Sequence, residues 1–174
     1  MTKLALLVTS LLILSGCSSE APTVERSAPA TCELPDVVAA FDAQVPGTKY
    51  IPTDWQPAAG TDLAAVYDAG GIACSYGIQE AEVGGTVLWA PASDELWNER
   101  SAIWQRDGQS AIDIEGVEED AAFILQDGTS ADEMHLWVIN LLIDGIWIQI
   151  GATFLQDVQE ASEIIEAAIS ATEK

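Results

Sequence analysis

Two apolar runs, residues 135–143 and 146–153, are joined only by Asp144-Gly145, and no other stretch restricts the fold of this chain as much. An Asp-Gly pair favours the type I′ turn, whose backbone twist matches that of two antiparallel strands. Side chains alternate between the faces of a strand, so this link puts Trp137, Ile139, Leu141, Ile143, Ile146, Ile148 and Ile150 on one face. Leu136, Val138, Asn140, Leu142, Trp147 and Gln149 share the other. The first face is expected to be core. The second is apolar around two amides, and it becomes a ligand or partner surface if no helix covers it. Trp55, in a proline-rich loop, joins that candidate surface, whereas Trp89, Trp97, Trp104 and Trp137 fit core positions.

The remaining elements follow from spacing and punctuation. Leu34, Val37, Val38, Phe41 and Val45 recur at a helical interval, with Pro35 suited to the first turn. Residues 46–71 carry Pro46, Pro52 and Pro57 with several glycines and are predicted to be mostly loop, with a short strand around 64–67. Runs 72–80 and 86–90 flank Gly84-Gly85, a hairpin signal. Ser93 can cap a helix with Asp94 and Glu95 in its first turn; it lines up Leu96, Trp97, Arg100, Ile103 and Trp104 before Asp107-Gly108 ends it. Strands are expected at 110–114 and 121–126, joined by the acidic turn 115–120. Residues 155–172 are expected to close the chain as an amphipathic helix with Leu155, Val158, Ile165 and Ile169 inward. The expected class is α+β: a mainly antiparallel sheet of five or six strands with about three helices.

The N-terminus has a different character. Lys3 precedes an aliphatic run at 4–14, then Ser15-Gly16-Cys17, the layout of an export signal. A membrane-spanning helix needs about 20 apolar residues, so this run is too short to be a permanent span. Leu14-Ser15-Gly16-Cys17 resembles the lipobox of bacterial prolipoproteins. That resemblance implies that the Cys17 thiol receives a diacylglycerol, that residues 1–16 are removed, and that the mature chain is anchored to the outer face of the cytoplasmic membrane. Two acyl chains suffice for stable anchoring, each buried methylene adding roughly 0.8 kcal/mol. With Cys17, Cys32 and Cys74, the chain is also similar to small exported lipoproteins of Gram-positive bacteria that carry an uncharacterised domain with an early cysteine paired to a strand cysteine. The competing reading is an ordinary secretory signal that leaves Cys17 a plain thiol.

Three cysteines make an odd count. With Cys17 assigned to lipid, Cys32 and Cys74 remain as a pair, and in an oxidising compartment a disulfide is the default; two buried free thiols are the other reading. Residues 18–31 are rich in Ser, Ala, Pro and Glu and read as a flexible tether, so that 17–31 is a lipidated arm and 32–174 a single domain. A coil of that length reaches about 20 Å.

Without the leader, five basic residues face 28 acidic ones, a net charge of −23. Nucleic acid is excluded as a partner on that ground, because affinity for phosphates rests on clustered Lys and Arg. An anionic bilayer would repel the domain too, which leaves the lipid as its membrane contact. His135 is the one histidine, next to Asp132 and Glu133, and no hydrolase, zinc-protease or nucleotide-binding motif occurs. Acidic loops 115–120 and 127–133 hold enough oxygens for calcium but lack the EF-hand pattern. The sequence implies no cofactor. The expected function is a non-catalytic, lipid-anchored binding or accessory module for an envelope protein or small ligand. The alternatives are an enzyme or enzyme accessory using His135 and nearby carboxylates, and a carrier of an apolar ligand on the Trp147 face.

Overall fold

The computed structural model describes residues 26–127, 136–155 and 157–173. The lipobox, most of the expected tether, His135, Asp132 and Glu133 lie outside the described residues.

The α+β class holds, with more elements than expected among the described residues: seven strands and four α-helices. In chain order these are α1 (Pro35–Gln44), β1 (Lys49–Ile51), α2 (Asp62–Asp68), β2 (Ile72–Ile78), β3 (Val83–Pro91), α3 (Asp94–Arg106), β4 (Ser110–Ile112), β5 (Ala121–Asp127), β6 (Leu136–Ile143), β7 (Ile146–Ala152) and α4 (Ser162–Ser170). The strands form one sheet in the order β1-β2-β3-β7-β6-β5-β4, and every neighbouring pair is antiparallel.

The β6–β7 hairpin is the centre of this sheet. Asp144 and Gly145 both take positive φ, 48° and 74°, as the type I′ turn demands. Ile143 pairs with Ile146, Leu141 with Ile148 and Ile139 with Ile150. These six residues and Trp137 are all buried in one cluster with Val37 and Phe41 of α1 and Ile164 and Ile165 of α4. The indole N–H of Trp89 donates to the carbonyl of Ala168 at 2.8 Å, which ties α4 to the sheet by a buried hydrogen bond. The disulfide Cys32–Cys74 forms, with 5.4 Å between the Cα atoms, and fastens the chain just before α1 to β2.

Four local expectations are corrected. Residues 64–67 lie in α2, not in a strand: the Thr61 hydroxyl accepts from the Ala64 amide, Asp62 stands in the first turn, and the amide of Gly71 closes the far end on the carbonyl of Val66. The hairpin turn does not fall at Gly84-Gly85. Those glycines belong to β3, opposite Gly77 and Tyr76, while the reversal uses the 3-10 turn Gln79–Ala81 and Glu82 in the left-handed region. A Cβ on Gly84 would lie 2.5 Å from the carbonyl oxygen of Tyr76, so close strand approach, not turn chemistry, accounts for glycine there. The closing helix is also shorter than 155–172; Leu155 is buried ahead of it, and α4 begins only at Ser162.

The fourth correction concerns the tether. Arg26 is already docked: its Nε donates to Asp144 at 2.9 Å and its Nη1 to Thr172 at 3.1 Å, while the Ser27 amide donates to the Thr172 carbonyl at 2.8 Å. Ala28 packs on the core. Residues 26–31 therefore lie against the domain, because a guanidinium with several acceptors outweighs the weak local preferences of a Ser/Ala/Pro segment.

Candidate functional site

The second face of the β6–β7 hairpin was the sequence's candidate surface, and α2 and α3 cover half of it. Trp147 lies opposite Leu142 and Ala90, under α3; its ring centroid is 5.3 Å from that of Trp104. Val66 of α2, Trp97 and Trp104 of α3, Phe123, Leu88 and Trp147 form a second buried cluster, with Trp55, Leu63 and Leu142 at its margin. Trp147 is 1% exposed, so at this position the helix that Ser93 caps covers the face, and the condition for an open apolar patch is not met there. Trp55 is half-buried and donates its indole N–H to the carbonyl of Ala73 at 3.1 Å.

The amides of that face are equally committed. Trp147 and Gln149 both donate to Oδ1 of Asn140, at 2.9 and 2.8 Å, and the Asn140 amide donates to Gln109 at 2.9 Å. Gln149 Nε2 also reaches Oδ2 of Asp62 at 2.6 Å. Asp62, at the start of α2, collects the indole N–H of Trp104 at 3.0 Å and the guanidinium of Arg100, whose Nε lies 2.8 Å from Oδ1. Arg100 Nη2 closes on the same oxygen, and Nη1 donates to the carbonyl of Gly60. The result is a polar web that locks both helices to the sheet, with Asn140 and Arg100 buried. Buried polar groups are tolerated only when paired in this way.

Beyond that web the same face opens. Two residues beyond Gln149, further from the Asp144-Gly145 turn, Gly151 sits between Val138 on β6 and Thr86 on β3, and Ser75 follows on β2. Ser75, Thr86 and Gly151 raise little or no side chain, and neither α2 nor α3 lines this end of the sheet. The floor they make, walled by Ile51, Val83 and Val138, holds a cavity of about 510 Å³. That volume lies within the ~300–1,000 Å³ of small-molecule pockets. Of the sequence's candidates, Val138 and Gln149 line this cavity, Trp147, Asn140 and Leu142 do not, and the side chain of Leu136 lies outside the described residues. Ser75, Thr86, Gly84 and Gly151 were missed. Their signal was available as strand positions with small residues at matching places in three strands.

The acidic turn 115–120 spends carboxylates on backbone: Glu119 accepts from the Ile114 amide at 2.8 Å and Asp120 from the Asp144 amide at 2.9 Å. Among the described residues, no three His, Cys, Asp or Glu side chains gather as a metal site, and no helix is long and apolar enough to cross a membrane. Tyr76, buried under α1, donates its hydroxyl to the carbonyl of Cys32 at 3.0 Å; burial, with Tyr50 beside it, holds its ionisation well above the usual tyrosine range. In comparisons with known proteins the chain matches no protein-family model, and no curated protein matches it significantly.

Proposed function

We propose that this protein is a lipid-anchored extracytoplasmic binding module, held to the membrane through Cys17, that takes a small apolar ligand in the cavity on the open end of the sheet. The observation that carries the reading is the placement of the two ends of β7. Arg26, the first described residue, is fastened to Asp144 at the Ile146 end of that strand, whereas the cavity floor lies at Gly151 and Ala152. Seven strand residues span about 20 Å. An anchor entering at one end thus leaves the cavity directed away from it. The Cys32–Cys74 bridge supports export and leaves Cys17 as the cysteine not engaged in it. Eight residues separate Cys17 from Arg26, a coil reach of about 15 Å.

The test is native mass spectrometry of the protein purified from the envelope of its own host. The expected species starts at a diacylglyceryl Cys17 and carries a non-covalent apolar adduct that a Val138→Arg variant lacks. A mature terminus elsewhere removes the anchor; an adduct that is absent, or indifferent to Val138→Arg, removes the ligand site.

A further inference from the structure

A second and larger cavity, about 740 Å³, runs between α2 and α3 near the Asp144-Gly145 turn. Its lining includes Ala65 of α2, Ala69 just after that helix, Ala92 just after β3, and Leu96 of α3, with Asp68 and Glu99 among its charged members. Short apolar side chains make a trough into which side chains from outside can descend. Asp68 and Glu99 are exposed, and among the described residues neither forms an ion pair. The lining also contains Arg100, but that guanidinium is closed onto Asp62, so it does not neutralise the other two carboxylates.

We infer that this trough docks a basic peptide segment of another polypeptide, with lysine or arginine stems lying on the alanines and their charged heads reaching Asp68 and Glu99. Charge complementarity selects this occupant. Asp68 stands in the last turn of α2, at the negative end of the helix dipole, with no basic residue in that turn to offset it. A cation supplied from outside relieves that placement. Arg26, Arg100 and Arg106 are each already paired with a carboxylate of this chain, so the protein has few cations of its own to offer. Two carboxylates over an apolar floor suit a long basic side chain better than a bare cation, because such a side chain buries its methylenes while its head stays at the rim. This inference uses a different surface from the ligand cavity and does not depend on the lipid anchor.

The experiment is a titration of the full chain with a synthetic amphipathic peptide built only of leucine and lysine, followed by fluorescence anisotropy, with a leucine and glutamate peptide as counterpart. Binding of the lysine peptide is expected to weaken by about tenfold or more in Asp68→Lys/Glu99→Lys. The control Glu163→Lys/Glu166→Lys, which changes charge equally on α4, is expected to leave it unchanged. Ala65→Leu, which fills the trough without altering charge, is expected to weaken it too, and circular dichroism checks that each variant is folded. Equal losses in the groove and α4 variants would assign the attraction to the acidity of the whole surface and overturn the proposal. Absence of binding, or equal binding of the glutamate peptide, would overturn it as well.

Discussion

Nε of Arg26 donates to Oδ2 of Asp144 across 2.9 Å, joining the first described residue to the central hairpin turn 118 positions away. The same guanidinium reaches Thr172 and Glu173 beside the C-terminus. One side chain thus clips together the point where the chain enters the domain, the turn that organises the sheet, and the end of the closing helix. From there the chain runs to Cys32, where the disulfide makes the attachment covalent. Entry to the domain is held twice, first by charge and then by sulfur.

Replacing Arg26 by alanine is expected to release residues 26–31 while costing the whole domain less than about 1 kcal/mol, since both partner carboxylates are half exposed and such pairs are screened. Hydrogen exchange read by mass spectrometry is the measurement. Faster exchange at the Ser27 amide with unchanged protection in β6 and β7 is the expected pattern; an unaltered Ser27 amide would show that the clip does not hold the segment.

Asp62→Ala is expected to destabilise the protein by about 3 kcal/mol or more, because it leaves the buried Arg100 guanidinium without its counter-charge. Removing both charges, in Asp62→Ala/Arg100→Met, is expected to recover much of that loss. Urea denaturation compares the two. A double variant no more stable than the single one would mean that the hydrogen bonds from Trp104 and Gln149 to Asp62, rather than the orphaned charge, dominate the effect.

Loss of the bridge in Cys32→Ser/Cys74→Ser is expected to lower stability by about 4 kcal/mol, the chain-entropy value for a sequence separation of 42. The same loss should appear when the unmodified protein is melted with and without a thiol reductant. If reductant leaves the melting temperature unmoved although both thiols become alkylatable, the bridge contributes nothing to stability.

Tyr76 predicts an alkaline limit. Its ionisation is raised in the folded state by burial, with Tyr50 adding to the effect, while in the unfolded chain it ionises near pH 10. The folded form therefore retains the proton where the unfolded form loses it. The associated stability is fully present below about pH 10 and falls as pH rises beyond it. Tyr76→Phe is expected to cost about 1 kcal/mol at neutral pH through the lost hydrogen bond to Cys32, and to flatten the alkaline decline. Denaturation midpoints between pH 8 and 11 check both signs; parallel curves for the two proteins would refute the role of Tyr76.

Much of the core is legible in the sequence alone. Asp144-Gly145 dictates a turn, the turn dictates a register, and the register sorts Ile139, Leu141, Ile148 and Ile150 from Asn140 and Gln149. Ser93 with Asp94 and Glu95 marks the start of α3 for equally local reasons, since a hydroxyl cap and a helix dipole act within one turn. The miss at α2 was also local: Thr61-Asp62 carries a cap signal that the neighbouring prolines and glycines obscured.

The candidate site is another matter, because it depends on what comes to rest on a sheet face. Residue order alone established an alternating hairpin, a capped helix and three cysteines of which two could pair. Only tertiary packing decided that Trp147 is roofed while Gly151 is left open, and that the segment from Arg26 is docked. The physical reason is range. Turns, caps and strand alternation are set by atoms a few residues apart, whereas the cover over a face is set by partners such as Asp62 and Gln149, 87 positions distant, whose meeting no local pattern encodes.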